Sequence, residues 1–314
     1  MGTVVNTQRA PSTVERAPSQ KRGVDIPPRE PASSMIYSSH MAFDAMAPYG
    51  ELRETTVRLA TWNTWARYSP WQDRERLLLS ELRRVDADIV CLQEAWVVDD
   101  ESQAERFGAH LEMEFFHHGD RVYDDVISGH AILAKWPITK VADIVFETET
   151  PGSGGGAVMA RVDGPRGSLD VVSLMLEYRM DLGHIRQSQL AELCTWARDK
   201  AERANPLIIC GDFNADPQSD EIRRLSGLAP VYAPNMMFYD AVSMAATGDT
   251  TTYSSRNPFA AVGLYPERQL DHIFSLWPKA HGAGHPVHAE VIGSAPVDEL
   301  FASDHFGLFA DLRY

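Results

Sequence analysis

The chain has 314 residues, enough for one large domain or two small ones, with apolar and charged fractions ordinary for a globular protein. Its formal charge is −15, from 29 basic against 44 acidic residues, with no basic run longer than two. That balance disfavours a protein that grips long nucleic acid along its backbone, because such proteins gather Lys and Arg on one face. It leaves room for a carboxylate cluster that a divalent cation would neutralise.

Residues 1–54 differ from the rest. Met1 to Ser34 is rich in Pro, Ser, Thr and Arg and lacks apolar periodicity, so burial cannot offset its ordering entropy. The expected organisation is a disordered or loosely packed N-terminal extension over 1–54 and a single domain over 55–314. The segment from Met35 to Tyr49 is more apolar and is expected to pack on the domain. No stretch reaches the roughly 18 unbroken apolar residues of a membrane span, and the N-terminus lacks a secretory pattern. The expected location is the cytoplasm.

From Val57 onward short apolar strands alternate with turns and amphipathic helices. Val57–Trp62, Asp88–Gln93, His130–Trp136, Val158–Val162, Leu169–Leu176, Leu207–Gly211, Gln269–Leu276 and Phe306–Leu312 read as strands. Asp73–Val85 reads as a helix, with Leu77, Leu78 and Leu82 on one face, and Ile185–Ala201 as another. The Gly-rich run Gly152–Gly156 precedes a strand and lacks Gly-Lys-Ser/Thr, so it reads as a hairpin connection and not a phosphate loop. Cys91, Cys194 and Cys210 each sit in an apolar run at wide spacing, which predicts buried free thiols. The order of elements predicts an α/β fold of two sheets packed face to face with helices outside.

Several strands finish in polar residues that periodicity does not require: Asn63, Glu94, the pair Asp212 and Asn214, Asp271 inside an apolar strand, and Asp304-His305 before the last one. Residues at strand ends converge on one rim, where sites are built. Glu94 follows the buried run Ile-Val-Cys-Leu, where an uncompensated charge is costly. Mg²⁺ or Mn²⁺, which prefers oxygen ligands, would neutralise it. Asp212 and Asn214 are two apart on extended chain and so share a side. The acid is suited to activating water and the amide to donating to a phosphoryl oxygen. His305 supplies a titratable imidazole that Asp271 is placed to orient. Each piece also has a plain reading as a turn, a cap or a strand end.

The ordered set resembles the endonuclease/exonuclease/phosphatase superfamily, the group with the pancreatic deoxyribonuclease fold. The resemblance rests on Thr61-Trp-Asn63, Leu92-Gln-Glu94, His130–Ile138, Gly211-Asp-Phe-Asn214, Leu270–Phe274 and Ser303-Asp-His305, and runs from about Val57 to Tyr314. It implies a four-layer sandwich of two packed mixed β-sheets flanked by helices. It implies Glu94, Asp304 and Asn63 around the metal, with Asp212, Asn214, Asp271, His305 and Asn63 in catalysis. One position departs. Many members carry a catalytic His in the strand before Gly-Asp-x-Asn, and here Met175 stands there, with no strong donor to offer. His130 and His184 are candidates to fill that gap.

The leading expectation is metal-dependent hydrolysis of a phosphodiester or phosphomonoester on a small-molecule or lipid-type substrate. The alternatives are a DNA or RNA nuclease, disfavoured by charge, and a family fold repurposed for ligand binding or non-hydrolytic chemistry, suggested by Met175. Trp62, Trp65, Trp71 and Trp96 are either core or an apolar wall for the substrate. The irregular region holding Met236–Asp240 and Thr250–Tyr253 is expected to border the site.

Overall fold

The computed structural model describes residues 44–68, 70–99, 101–123, 126–146 and 155–314. The expectations for residues 1–43 and for Gly152–Gly154 of the Gly-rich run lie outside the described residues. Residues 44–314 form one compact unit. Its chain pairs from Tyr49 onward: the Tyr49 carbonyl accepts from His281 N at 2.8 Å, and Arg53 N donates to the His281 carbonyl at 3.0 Å.

The elements run as β1 (Thr56–Asn63), α1 (Trp71–Val85), β2 (Ile89–Val98), β3 (Glu101–Ser102), α2 (Gln103–Leu111), β4 (Glu114–Tyr123), β5 (Val126–Ala134), β6 (Ile138–Val145), β7 (Gly156–Gly164) and β8 (Gly167–Met175). They continue as α3 (Gly183–Lys200), β9 (Ile208–Asp212), α4 (Asp220–Leu225), β10 (Phe238–Asp240), α5 (Ala241–Ala245), α6 (Pro258–Ala261), β11 (Asp271–Leu276), β12 (Pro286–Ile292) and β13 (Gly307–Arg313). One sheet is ordered β12-β13-β1-β2-β5-β4, with β3 paired to β2. The other is ordered β10-β11-β9-β8-β7-β6. Each sheet has one parallel pair near its centre, β1 with β2 and β8 with β9, and antiparallel neighbours elsewhere.

Alternation along the strands explains the layers. On β1, Val57 and Leu59 point between the sheets and meet Val158, Val171 and Ile208 of the second sheet. Ala60 and Trp62 point the other way and pack on Leu78, Leu82 and Val85 of α1. On the far side, Met159, Val172 and Ile209 pack on Leu190, Leu193 and Ala197 of α3. The period of two on strands and of 3.6 on helices thus yields helix, sheet, sheet, helix, the four-layer α/β sandwich. Cys91 and Cys210 lie buried between the sheets and Cys194 is buried on α3. All three are free. Among the described residues no helix is long and apolar enough to cross a membrane.

The region holding Met236–Asp240 corrects the expectation of an irregular border. Phe238–Asp240 is a strand on β11, and Met236 and Phe238 are fully buried against Phe274 and the α3 side of the sheet.

Candidate active site

The ends of several strands meet at one rim. The registers place Asn63 opposite Gln93 across β1 and β2, Met175 opposite Asp212 across β8 and β9, and Asp271 opposite Asp212 across β11 and β9. Since β13 runs antiparallel to β1, the chain entering it brings Asp304 and His305 to the same end. A cavity of about 420 Å³ opens there, lined by Glu94, Met175, Asp212, Asn214, Asp304 and His305 among others.

Local backbone features aim these groups. The β2–β5 pairing is irregular between Leu92 and Ala95, and Glu94 within it has φ 52°. Such a bulge redirects one side chain out of the pleat, and here it turns a carboxylate into the cavity. Gly211 has φ 141°, and a Cβ there would lie 2.0 Å from the Leu174 carbonyl oxygen, so only glycine lets β9 approach β8 this closely. Asn214 adopts φ 49°, a left-handed conformation that Asn tolerates, and its N–H donates to Asp212 Oδ1 at 3.0 Å. The plain turn reading of Gly-Asp-Phe-Asn is therefore present, and it is the device that presents Asp212 and Asn214 to the cavity.

Asn63 bridges the two sheets. Its Nδ2 donates to Glu94 Oε1 at 3.0 Å and to Asp212 Oδ2 at 3.2 Å, and it lies 3.8 Å from Met175 Sδ. Its Oδ1 accepts from Trp65 N at 3.0 Å. Asn214 Nδ2 donates to the Leu176 carbonyl at 3.1 Å.

His305 Nδ1 donates to Asp271 Oδ2 at 2.9 Å, and its Nε2 stands 3.8 Å from Asp212 Oδ2, too far for a hydrogen bond. Burial opposes a charge on this imidazole, but Asp271, Asp212 and Asp304 outweigh burial and hold its pKa well above the usual value. Asp212 moves the other way from most acids. Burial pushes its pKa up to about 6, with the imidazolium of His305 pulling against it and Asp271 adding to the rise. Asp304 is also raised by burial, against His305 and the Ser303 hydroxyl that donates to its Oδ1 at 3.2 Å.

The acids and the histidine form a group able to hold a metal ion: ligand atoms of Asp212, Asp271 and His305 lie within 4.8 Å of one another. Within this trio His305 Nδ1 already donates to Asp271, so the group is also held together by its own hydrogen bonding. Glu94 and Asp304 offer an alternative all-oxygen donor set in the same cavity. That chemistry fits a hard divalent cation, which would offset the burial that raises the pKa of Asp304.

Neither candidate for the gap at Met175 fills it. His130 is buried on β5 and His184 is exposed on α3, and neither lines the cavity. The thioether faces the Asn63 amide instead. Of the four tryptophans, Trp62 and Trp96 are fully buried core, Trp71 packs edge-on against Trp96, and Trp65 alone lines the cavity.

Further residues hold the site, and one of them, Tyr253, lies in the stretch expected to border it. Gln93 Nε2 donates to Ser173 Oγ at 2.9 Å and its Oε1 accepts from the Thr61 hydroxyl at 3.2 Å, joining the two sheets beneath the rim. Asn257 Nδ2 donates to the carbonyls of Ser303 and Asp304, fixing the last motif. Tyr253 sets its ring edge-on to His305 at 5.0 Å and shields the dyad. Arg74 is buried, and its guanidinium donates to five backbone carbonyls: Thr64, Trp65, Ala66, Tyr68 and Ala302. Burial lowers its pKa to about 10, while Asp304 and Glu94 support its charge. The sequence offered a signal for Gln93, in Leu-Gln-Glu. It offered none for Arg74, one polar residue among several on an amphipathic helix.

A model of the endonuclease/exonuclease/phosphatase family matches residues 60–305. An uncharacterized protein of Escherichia coli strain K12, YbhP, is 27% identical over 158 residues. The match covers 44% of this chain and 60% of that protein's length. Among solved structures, TDP2 of D. rerio complexed with a single-strand DNA product superposes with a TM-score of 0.63 at 20% identity, covering 83% of this chain and all of that one. The human Nocturnin catalytic domain with bound sulfate gives 0.60 at 19% identity, covering 83% and 94%. At these identities the structural likeness establishes the fold.

Proposed function

The chain belongs to the endonuclease/exonuclease/phosphatase family, whose members are typically phosphoester hydrolases, and on that premise we propose that it hydrolyses a phosphoester with the help of Mg²⁺ or Mn²⁺. One observation carries the proposal: a buried imidazolium and a buried carboxylate of raised pKa stand 3.8 Å apart at the floor of one cavity.

Glu94 and Asp304 would hold the ion, and Asn63, whose oxygen is engaged by Trp65 N, serves as the strut that sets Glu94 against Asp212. A bound divalent ion supplies charge neutralisation at the phosphoryl oxygens and polarises the scissile bond. Asp212 Oδ2 takes the proton of the attacking water, and a pKa near 6 leaves it ionised at neutral pH yet basic enough to accept. His305 donates from Nε2 to a phosphoryl oxygen, while Asp271 keeps Nδ1 occupied and the ring in place. Asn214 has one amide N–H beyond the bond to Leu176 to offer the phosphoryl group.

The test is hydrolysis of bis(4-nitrophenyl) phosphate in excess Mn²⁺. Wild type is expected to turn over and Glu94→Gln to fall to background. Equal rates for the two proteins would sink the proposal.

Met175 supports a second reading, a site repurposed away from hydrolysis, because a thioether neither donates strongly nor carries charge where the family often has His. Under that reading wild type is inert and Met175→His raises turnover from near zero. Robust wild-type turnover removes it.

A further inference from the structure

The cavity is lined by two kinds of group. One is the acids and His305. The other is apolar and aromatic: Trp65, Tyr68, Tyr178, Tyr253, Tyr265 and Met180. Trp65 packs on Phe259 of α6 at 4.8 Å and on Tyr68 at 5.2 Å, and Tyr253 lies 6.2 Å from Tyr265. The chain from α6 to Tyr265 carries Val262 and Leu264, which are 81% and 91% exposed. Tyr68, Tyr178 and Met180 are each more than 40% exposed at the mouth.

The wall is preformed. Arg74 ties the carbonyls of residues 64–66 and 68 from behind, and its guanidinium lies 4.8 Å from the Trp65 ring centre. Trp65 and Ala66 both have positive φ, an uncommon backbone that those bonds and the Trp65 N–H bond to Asn63 Oδ1 hold in place. A rigid apolar surface held open beside a polar centre is a binding surface, since open apolar area otherwise favours collapse.

Charge selects what fits. Among the lining residues Glu94, Asp212 and Asp304 are acidic and the arginine is Arg268. Asp216 holds Arg268 at 2.8 Å. Arg179 lies against the Tyr178 ring at 5.6 Å, away from the Trp65–Tyr68 and Tyr253–Tyr265 pairs. A second phosphate placed on those two ring pairs would meet neutral rings and a cation already paired. We infer that the substrate carries a single phosphate joined to an uncharged aryl or alkyl group, which seats against the Trp65–Tyr68 and Tyr253–Tyr265 wall. The inference rests on the proposed phosphoesterase site and names its substrate class.

The experiment compares the methyl, phenyl and hexyl 4-nitrophenyl phosphodiesters on the full chain in excess Mn²⁺. All three share one charge and one leaving group. The phenyl and hexyl esters are expected to show kcat/KM about 10–100-fold above the methyl ester, the scale on which apolar pockets discriminate. Trp65→Ala and the exposed Leu264→Ser are expected to shrink that ratio. A ratio near one, with turnover that Glu94→Gln abolishes, overturns the inference and leaves the hydrolase intact. A faster thymidine 5′-(4-nitrophenyl) phosphate or oligonucleotide also overturns it. If no ester turns over, the hydrolase proposal fails, and calorimetric binding of phenylphosphonate against methylphosphonate decides this one. Tighter phenyl binding supports it, and equal binding overturns it.

Discussion

Neighbouring residues of β11 enter two buried histidine–carboxylate pairs of the same chemical make-up and opposite character. Asp271 points to the rim and orients His305. His272, one residue on, points to the other face of the sheet and meets Asp240 at 3.5 Å. Around His272 the account closes. Asp240 accepts from Val242 N at 3.0 Å and Ser243 Oγ at 2.9 Å, His272 Nε2 donates to the Ala215 carbonyl at 2.9 Å, and the ring stacks on Phe274. Around His305 it does not. Asp271 Oδ1 is buried with no hydrogen-bond partner among the described residues, and His305 lines the cavity. Buried polar atoms left unsatisfied are rare and costly, and they gather where a ligand or reaction completes them. A His–Asp pair is therefore not a signature of function. What distinguishes the two is the incomplete bonding of one.

The comparison breaks most sharply under substitution of His305. His305→Gln is expected to lower kcat of the folded fraction by about 10²–10⁴-fold on a phosphodiester. An active His305→Gln would assign both pairs to structure. The reverse is expected of the other pair. Asp240→Ala leaves a buried imidazolium without its acid and should cost about 3–5 kcal/mol of stability, with kcat of the folded fraction retained.

Asp212→Asn probes the tension on the site side. The folded pKa of Asp212 is raised from 3.8 to about 6, so its ionised form destabilises the fold above that pH. Without metal at pH 7, Asp212→Asn is expected to gain on the order of 1–3 kcal/mol while losing turnover. The gain should fade as pH falls from 6 to below 4. A melting series across that range checks it.

The smallest effect concerns pH and the closed pair. The pKa of His272 is raised despite burial, through Asp240 and the Ala215 carbonyl, and the pKa of Asp240 is lowered despite burial, chiefly by His272. The histidine's contribution is full below its unfolded value near 6.5 and is lost as pH rises through the higher folded value. The acid's is present above its unfolded value near 3.8 and is lost as pH falls through the lower folded value. The advantage of wild type over His272→Phe should therefore be greatest between about pH 4 and 6.5 and shrink on either side. Urea midpoints that differ by a constant amount from pH 4 to 9 would show the pair to be neutral.

How legible each part was in the sequence follows from its surroundings. The interior strands β1, β2, β5, β7, β8, β9, β11 and β13 carry apolar runs or clean alternation, because both faces are covered, and they were read from sequence. The strands passed over are β4, β6, β10 and β12, the four edges of the two sheets, and the two-residue β3 paired to β2. Edge strands have one unpaired side, and composition there follows solvent as much as core. β6 reads Ile-Thr-Lys-Val-Ala-Asp-Ile-Val, with exposed positions between the apolar ones. The site divided similarly. Asn63, Glu94, Asp212, Asn214, Asp271, Asp304 and His305 broke the pattern of their strands and were visible for that reason. Arg74 and Asn257 broke no pattern, since an arginine on a helix and an asparagine in a loop are ordinary.

Sequence alone determined the four layers, the polar strand ends and the thioether at position 175, because periodicity and chain order are local properties. Tertiary structure decided which of two adjacent residues on β11 meets the histidine that lines the cavity. It also decided that Met236 and Phe238 are core, and that a buried arginine shapes a wall of rings. Those outcomes depend on which distant groups complete, or fail to complete, a side chain's bonding. That is settled only when the two sheets close on each other.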